Sequence, residues 1–150
     1  MRASAFSLLE LVIVIAILAV VAAIAIARLG SFSEDARINA GVADLRQIDS
    51  AFRMYQAEFG AWPKDQNQGV YPPELADFLP LEIFLKGPVL GEYWDWNPSW
   101  GPIPPAISVV DDTPDIGLWT EFDLRFDDGD LNTGNVRRSN GKFLHYRIRP

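Results

Sequence analysis

Ala5-Phe6-Ser7-Leu8-Leu9-Glu10, continued without a charged residue from Leu11 to Ala27, is the stretch that decides how this chain is read. One acid stands at the head of a segment otherwise built of Ala, Ile, Val and Leu. A charged side chain at the bilayer centre costs roughly 2.5–3.5 kcal/mol on insertion scales. A helix that serves only as an anchor has no use for that cost, so Glu10 marks a functional site. The 17 residues from Leu11 to Ala27 rise ~25 Å as a helix, and Phe6 to Leu9 bring the segment to spanning length. Two plainer readings compete. An ordinary secretory signal would use Arg2 as its basic start and Ala23-Ile24-Ala25 as its cleavage site, but Glu10 interrupts the start of its apolar region. A simple transmembrane anchor leaves Glu10 without a role.

Downstream, Ile38, Val42, Leu45, Ile48, Phe52, Tyr55 and Phe59 recur at spacings of four and three, the pattern of an amphipathic helix. Asp44, Arg46, Asp49, Arg53 and Glu58 fill other positions. The pattern predicts one long helix from about Ser7 to Phe59, apolar in its first half and amphipathic in its second. The alternative is two helices split at Gly30-Ser31. Gly60 suits the position just past a helix end, and Pro63 prevents continuation.

The N-terminal block resembles the prepilin leader of type IV pilins and type II secretion pseudopilins. That leader reads Gly, Phe, Thr or Ser, Leu, any residue, Glu, and then a long apolar run. Two positions depart from it. Ala5 stands where the family usually has Gly, and Ala27 lies near where many pilins carry a helix-kinking proline. The resemblance covers about the first 30 residues, and more weakly the helix to about Pro63, where Gly60-Ala61-Trp62-Pro63 is similar to a common pseudopilin exit. It implies cleavage between Ala5 and Phe6 by a prepilin peptidase and N-methylation of Phe6. It also implies that Glu10 pairs with the terminal amine of a neighbouring subunit in a filament. The expected organisation is a leader at 1–5, a transmembrane and assembly segment at 6–30, and a soluble pilin-like domain at 31–150. The implied partners are other copies and other pilin-like subunits, the peptidase, a membrane assembly platform and the bacterial cytoplasmic membrane, with the soluble domain on the extracytoplasmic side. The implied function is a structural subunit of a pseudopilus or pilus. The rival is a membrane-tethered binding protein that never polymerises and uses an aromatic loop.

The formal charge is −7; residues 1–30 carry +1 and residues 31–150 carry −8. An acidic domain lacks the basic face that nucleic-acid binding requires. With no cysteine, disulfides are excluded, so the domain holds together by packing or with a metal. Prolines between Lys64 and Pro105 rule out long regular elements there, apart from a helical turn at Glu74 to Phe78 started by Pro73. Tyr93, Trp94, Trp96 and Trp100 crowd that region, as a ligand-stacking surface or as cover for one end of the helix. Strands are expected at Ile107 to Val110, at Leu118 to Phe126 and at Leu144 to Ile148, the last two from period-2 alternation. The fold class is therefore α+β and pilin-like: a long helical spine packed by a small C-terminal antiparallel sheet.

The stretch from Asp127 to Asn135 is rich in hard oxygen donors. Asp127, Asp128, Asp130 and Asn132 are the candidate ligands, and Ca²⁺ the cofactor they suit. The resemblance supports this, because major pseudopilins hold Ca²⁺ in a C-terminal loop. The stretch is not an EF-hand, since Thr133 sits where that loop needs Gly; a solvated turn is the plain alternative. Residues 111–130 hold eight acids and one base, and residues 131–150 five bases and no acid. That split fits contacts between subunits or pairing within the sheet. Nothing reads as an enzyme: His145 is the sole histidine, no nucleophile motif accompanies it, and no glycine-rich phosphate loop is present.

Overall fold

The computed structural model describes residues 8–99 and 104–148, without the side chains of residues 27–32. Ala5, Phe6, Ser7, Trp100 and Arg149, each of which carries part of the sequence reading, lie outside it. The elements are α1 (Leu8–Phe59), a 3-10 turn (Pro73–Leu75), α2 (Leu81–Leu85), β1 (Tyr93–Asn97), β2 (Ala106–Val110), α3 (Ile116–Phe126), β3 (Val136–Ser139) and β4 (Phe143–Arg147). The chain divides between Ala36 and Arg37 into two compact units.

The first unit is apolar helix. Leu8–Ile26 forms a 19-residue stretch of mean hydropathy 3.1, and every side chain along it is exposed. α1 runs through Gly30 and Ser31 as helix, so the split into two helices does not occur.

In the second unit, α1 presents the apolar face read from its periodicity. Ile38, Val42, Leu45, Ile48, Ala51 and Phe52 are buried, Tyr55 is half-buried and Phe59 is exposed. The helix stops where expected: the Gly60 amide donates to the Gln56 carbonyl at 2.9 Å with Gly60 at φ 69°, a conformation costly for residues with a Cβ.

The sheet is antiparallel throughout, in the order β1-β2-β4-β3. One of its faces carries Trp94 and Trp96 from β1, Ile107 and Val109 from β2, and Leu144 from β4, all within the core that includes α1. Phe52 stacks on Trp96 with centroids 4.0 Å apart. Buried indoles usually find a partner for their N–H; Trp96 Nε1 donates to the Pro63 carbonyl at 3.0 Å and Trp119 Nε1 to the Leu90 carbonyl at 2.8 Å, while the buried Trp94 Nε1 has none among the described residues.

Two expectations are corrected. Leu118 to Phe126 is not a strand but lies within helix α3. Asp115 caps it, accepting from the Leu118 amide at 3.1 Å, and the buried residues are Leu118, Trp119, Phe122 and Asp123. That is one face at 3.6-residue spacing, whereas alternation would have buried Thr120, which is exposed. The second correction is β1. Tyr93–Asn97 forms a strand within the proline-rich region, with Trp94 and Trp96 facing the core. These two tryptophans are about 1% exposed and do not form a ligand-stacking surface. The expected strands over Ile107–Val110 and from Leu144 are present, and Asn140-Gly141 lies in the turn joining β3 to β4.

The core makes a simple prediction. Phe52→Ala removes a fully buried ring and its stack on Trp96, and should destabilise the protein by about 3–5 kcal/mol. Met54→Ala, two residues along and on the exposed side of the helix, should stay within about 0.5 kcal/mol. Urea unfolding followed by tryptophan fluorescence distinguishes the two; equal effects would mean that this face of α1 is not the core.

Candidate functional site

Two groups of residues carry chemistry, one in each unit. In the first, Glu10 lies in the first turn of α1, the one acid there. The helix around it exposes Leu8, Leu9, Leu11, Val12, Ile13 and Val14. Uncovered apolar surface on this scale is unfavourable in water. It requires a membrane, or other helices, around it.

In the second unit, α3 ends at Phe126 and delivers its last turn to the acidic loop. The Asp123, Asp127 and Asp128 carboxylates each place an oxygen within 4.8 Å of the others. Asp127, the residue capping α3, accepts from the Val136 amide at 3.1 Å, from the Asn135 amide and from Asn135 Nδ2 at 3.2 Å. It thus ties the end of α3 to the start of β3. Asp128 accepts from the Asp130 amide at 3.0 Å and from Thr133 Oγ1 at 2.8 Å. Gly134, at φ 63°, lets the backbone pass against this pair; a Cβ there would collide with Asp127 Oδ2 and lie 2.7 Å from Asp128 Oδ2.

Asp123 differs from its neighbours. It is wholly buried, and among the described residues neither carboxylate oxygen has a side-chain partner or a well-formed hydrogen bond; the Gly129 amide is the weakest of the groups acting on it. Asn135 Oδ1 is a further buried oxygen without a hydrogen-bond partner. Native proteins rarely leave buried polar atoms unsatisfied. Burial first, and then the charges of Asp128, Asp127 and Asp130, push the Asp123 carboxyl up to about 6. A divalent cation answers both features: it supplies the missing partner and offsets the mutual repulsion of three carboxylates. The residues present fit a hard, oxygen-seeking ion.

Of the four ligands expected from sequence, the structure brings Asp127 and Asp128 together. Asp130 and Asn132 stand apart from that group. Asp130 Oδ1 accepts from the Asn132 amide at 3.0 Å and its side-chain nitrogen at 2.8 Å, and these bonds hold the exposed Asp130 carboxyl below its usual value. Asp123 was missed because its segment read as a strand. The signal that would have found it is the four-residue spacing to Asp127, one helical turn, behind the capping Asp115.

Residues 1–26 match the family model described as the prokaryotic N-terminal methylation motif. The chain carries a pilin-type prepilin signal. Among the described residues one helix, Leu8–Ile26 near the N-terminus, is long and apolar enough to cross a membrane, which fits a membrane-anchored protein. A motif of this kind implies processing by a prepilin peptidase and assembly with other pilin-type subunits. No curated protein and no solved structure matches the chain.

The acidic group predicts a pH dependence with a defined sign. The folded-state value of Asp123, about 6, lies above its ordinary 3.8. Its contribution to stability is therefore full below pH ~4 and is lost as pH rises through ~6, a change of roughly 3 kcal/mol. In chelator, the melting temperature of the detergent-solubilised chain should fall from pH 5 toward pH 7.5 through this group. Asp123→Asn should remove that component, and millimolar Ca²⁺ at pH 7.5 should restore stability to the wild type by mass action. A wild-type melting temperature indifferent to Ca²⁺ would leave the loop as a plain turn.

Proposed function

We propose that this chain is a structural subunit of a pilin-type filament, cut between Ala5 and Phe6, N-methylated on Phe6, and polymerised through its apolar helix. Before assembly, residues 6–30 hold it in the cytoplasmic membrane and residues 31–150 form the extracytoplasmic domain. The observation that carries this reading is the methylation motif joined to an apolar stretch, Leu8–Ile26, whose side chains are all exposed. Lipid satisfies that surface in the monomer, and neighbouring helices do so in a filament. The same helices would then enclose Glu10 and the incoming amine, each costly alone in a low dielectric and tolerable as a pair. Of the two filament types, a type II secretion pseudopilus is favoured: no proline interrupts α1, and the chain leaves the helix through Gly60-Ala61-Trp62-Pro63. Ca²⁺ held by Asp123, Asp127 and Asp128 would fix the loop between α3 and β3.

The tethered-binder alternative draws no support from β1, whose tryptophans are buried in the core. Glu10→Leu separates the two readings. It makes the segment more apolar, so insertion should be unimpaired. It also leaves the neighbour's amine buried and unpaired, a loss of about 3–5 kcal/mol. The variant should accumulate as processed, membrane-bound monomer beginning at methylated Phe6, and should yield no sedimentable or cross-linked filament. Wild-type amounts of filament from this variant would refute the pairing mechanism. A mature chain beginning near Arg28 would instead establish an ordinary secretory signal.

A further inference from the structure

The second face of the sheet carries a polar row that neither the core nor the proposed filament uses. Side chains alternate along a strand, so the residues between the buried tryptophans, valine and leucine point away from the core. The register aligns Asp95 of β1 with Ser108 of β2, Ser108 with His145 of β4, and His145 with Arg137 of β3. Three of these are buried although they are polar: Asp95 is 6% exposed, Ser108 0% and His145 8%.

This row is tightly held. His145 Nδ1 lies 2.7 Å from Ser108 Oγ and Nε2 lies 2.5 Å from Ser139 Oγ, so both ring nitrogens are engaged. Asp95 Oδ2 accepts from Asn97 Nδ2 at 2.8 Å. The Phe143 ring lies parallel to His145, with centroids 5.5 Å apart and planes at 5°. Above them is a cavity of about 180 Å³ lined by Gln68, Asp95, Asn97, Phe143 and His145. Gln68, Asp95 and Asn97 also border a wider polar groove formed with residues 65–67.

We infer that this cavity is a binding site for a neutral polyhydroxylated ligand the size of one sugar ring, with the groove along residues 65–67 able to receive a second. The lining contains what such a ring needs. The Asp95 carboxylate accepts from hydroxyls, and the Gln68 and Asn97 carboxamides both donate and accept. The Phe143 ring offers an apolar surface to the C–H face of the sugar. A carboxylate inside, with Asp65 close enough to act on it, opposes an anion, and among the described residues no cationic side chain lines the cavity. Burial first, and then Arg147, hold His145 below its ordinary value, so it is neutral at pH 7. With both nitrogens occupied, His145 is a positioning residue that fixes the floor, and the cavity retains only one carboxylate for a metal. An apolar ligand would strand Asp95 without water. The site is separate from the tryptophans of the same strand, which face the opposite way.

The test uses the isotope-labelled full chain in micelles of a detergent without a sugar headgroup. Methyl α-glucoside, methyl α-galactoside and N-acetylglucosamine are titrated while the side-chain amides of Gln68 and Asn97 and the imidazole of His145 are followed by NMR. At least one probe should give saturable shifts confined to these groups. Gln68→Ala, on a loop where folding is not at stake, and Phe143→Leu should each weaken it by about tenfold or more, with the remaining backbone resonances unmoved. Absence of any shift with all three probes would overturn the inference. So would equal affinity in both variants, or a response to Ca²⁺ or acetate in place of the sugars.

Discussion

The domain beyond Arg37 depends on one contact, the apolar face of α1 against the aromatic face of the sheet. Disulfides are unavailable, and the segment from Lys64 to Pro105 is too interrupted by proline to support itself with long elements. Ile38, Val42, Leu45, Ile48 and Phe52 of the helix meet Trp94, Trp96, Ile107, Val109 and Leu144 of the sheet in one core, joined by Trp119 and Phe122 of α3 and by Leu75, Leu79, Phe84 and Leu90. Each tryptophan in this core is large, which lets a small domain remove much apolar area from water. The indole N–H groups of Trp96 and Trp119 then tether two irregular segments, at Pro63 and at Leu90. Aromatic burial thus organises the proline-rich stretch as well as the sheet.

What was legible in the sequence follows from how many residues vote for each element. α1 carries dozens of residues in one period, so its extent, its change from apolar to amphipathic and its end at Gly60 could be read directly. β2 and β4 are short but strongly biased. α3 was misread because Leu118, Thr120, Phe122, Leu124 and Phe126 alternate by chance while also placing Leu118, Trp119, Phe122 and Phe126 on one helical face. Eleven residues are too few for periodicity to arbitrate, and the decisive local signal is the capping side chain of Asp115. β1 was obscured by its neighbours: the glycine and prolines around Tyr93–Asn97 drew attention to irregularity, although the strand places Trp94 and Trp96 on one face and Asp95 on the other. The polar row of Asp95, Ser108 and His145 could not be read at all, because register across three strands is a tertiary fact.

The same misreading hid Asp123, and the consequence is physical. In a strand it would have been one more exposed acid. In the last turn of α3 it is buried, beside Asp127 and Asp128, with no side-chain donor for either oxygen among the described residues and only a weak influence from the Gly129 amide. The loop has other ways to hold its shape: Asp127 bonds across to Asn135 and Val136, Asp128 to Thr133, and Asp130 to Asn132. Those bonds explain all three of the loop's own aspartates as turn-forming residues. They leave Asp123 unexplained, and that residue, rather than the acidity of the loop as a whole, is what argues for a cation.

Charge connects this loop to the proposed assembly. Residues 31–150 carry −8, and copies brought side by side in a filament repel unless that excess is placed away from the contacts or reduced. Part of the segregation between residues 111–130 and 131–150 is resolved within one chain, as in the 2.7 Å pair of Lys142 with Asp112. That pair is exposed and contributes little to stability. A divalent cation on Asp123, Asp127 and Asp128 would lower the acid excess by two charges at a single point, in a loop that ties α3 to β3. Apolar helices would then drive polymerisation without specifying register, while the charges of the outer domains, screened over about 8–10 Å at physiological salt, would act only between surfaces already in near contact. In the proposed filament the membrane segment would supply the affinity, and the acidic domain, with a cation if one binds Asp123, Asp127 and Asp128, would select which neighbours fit.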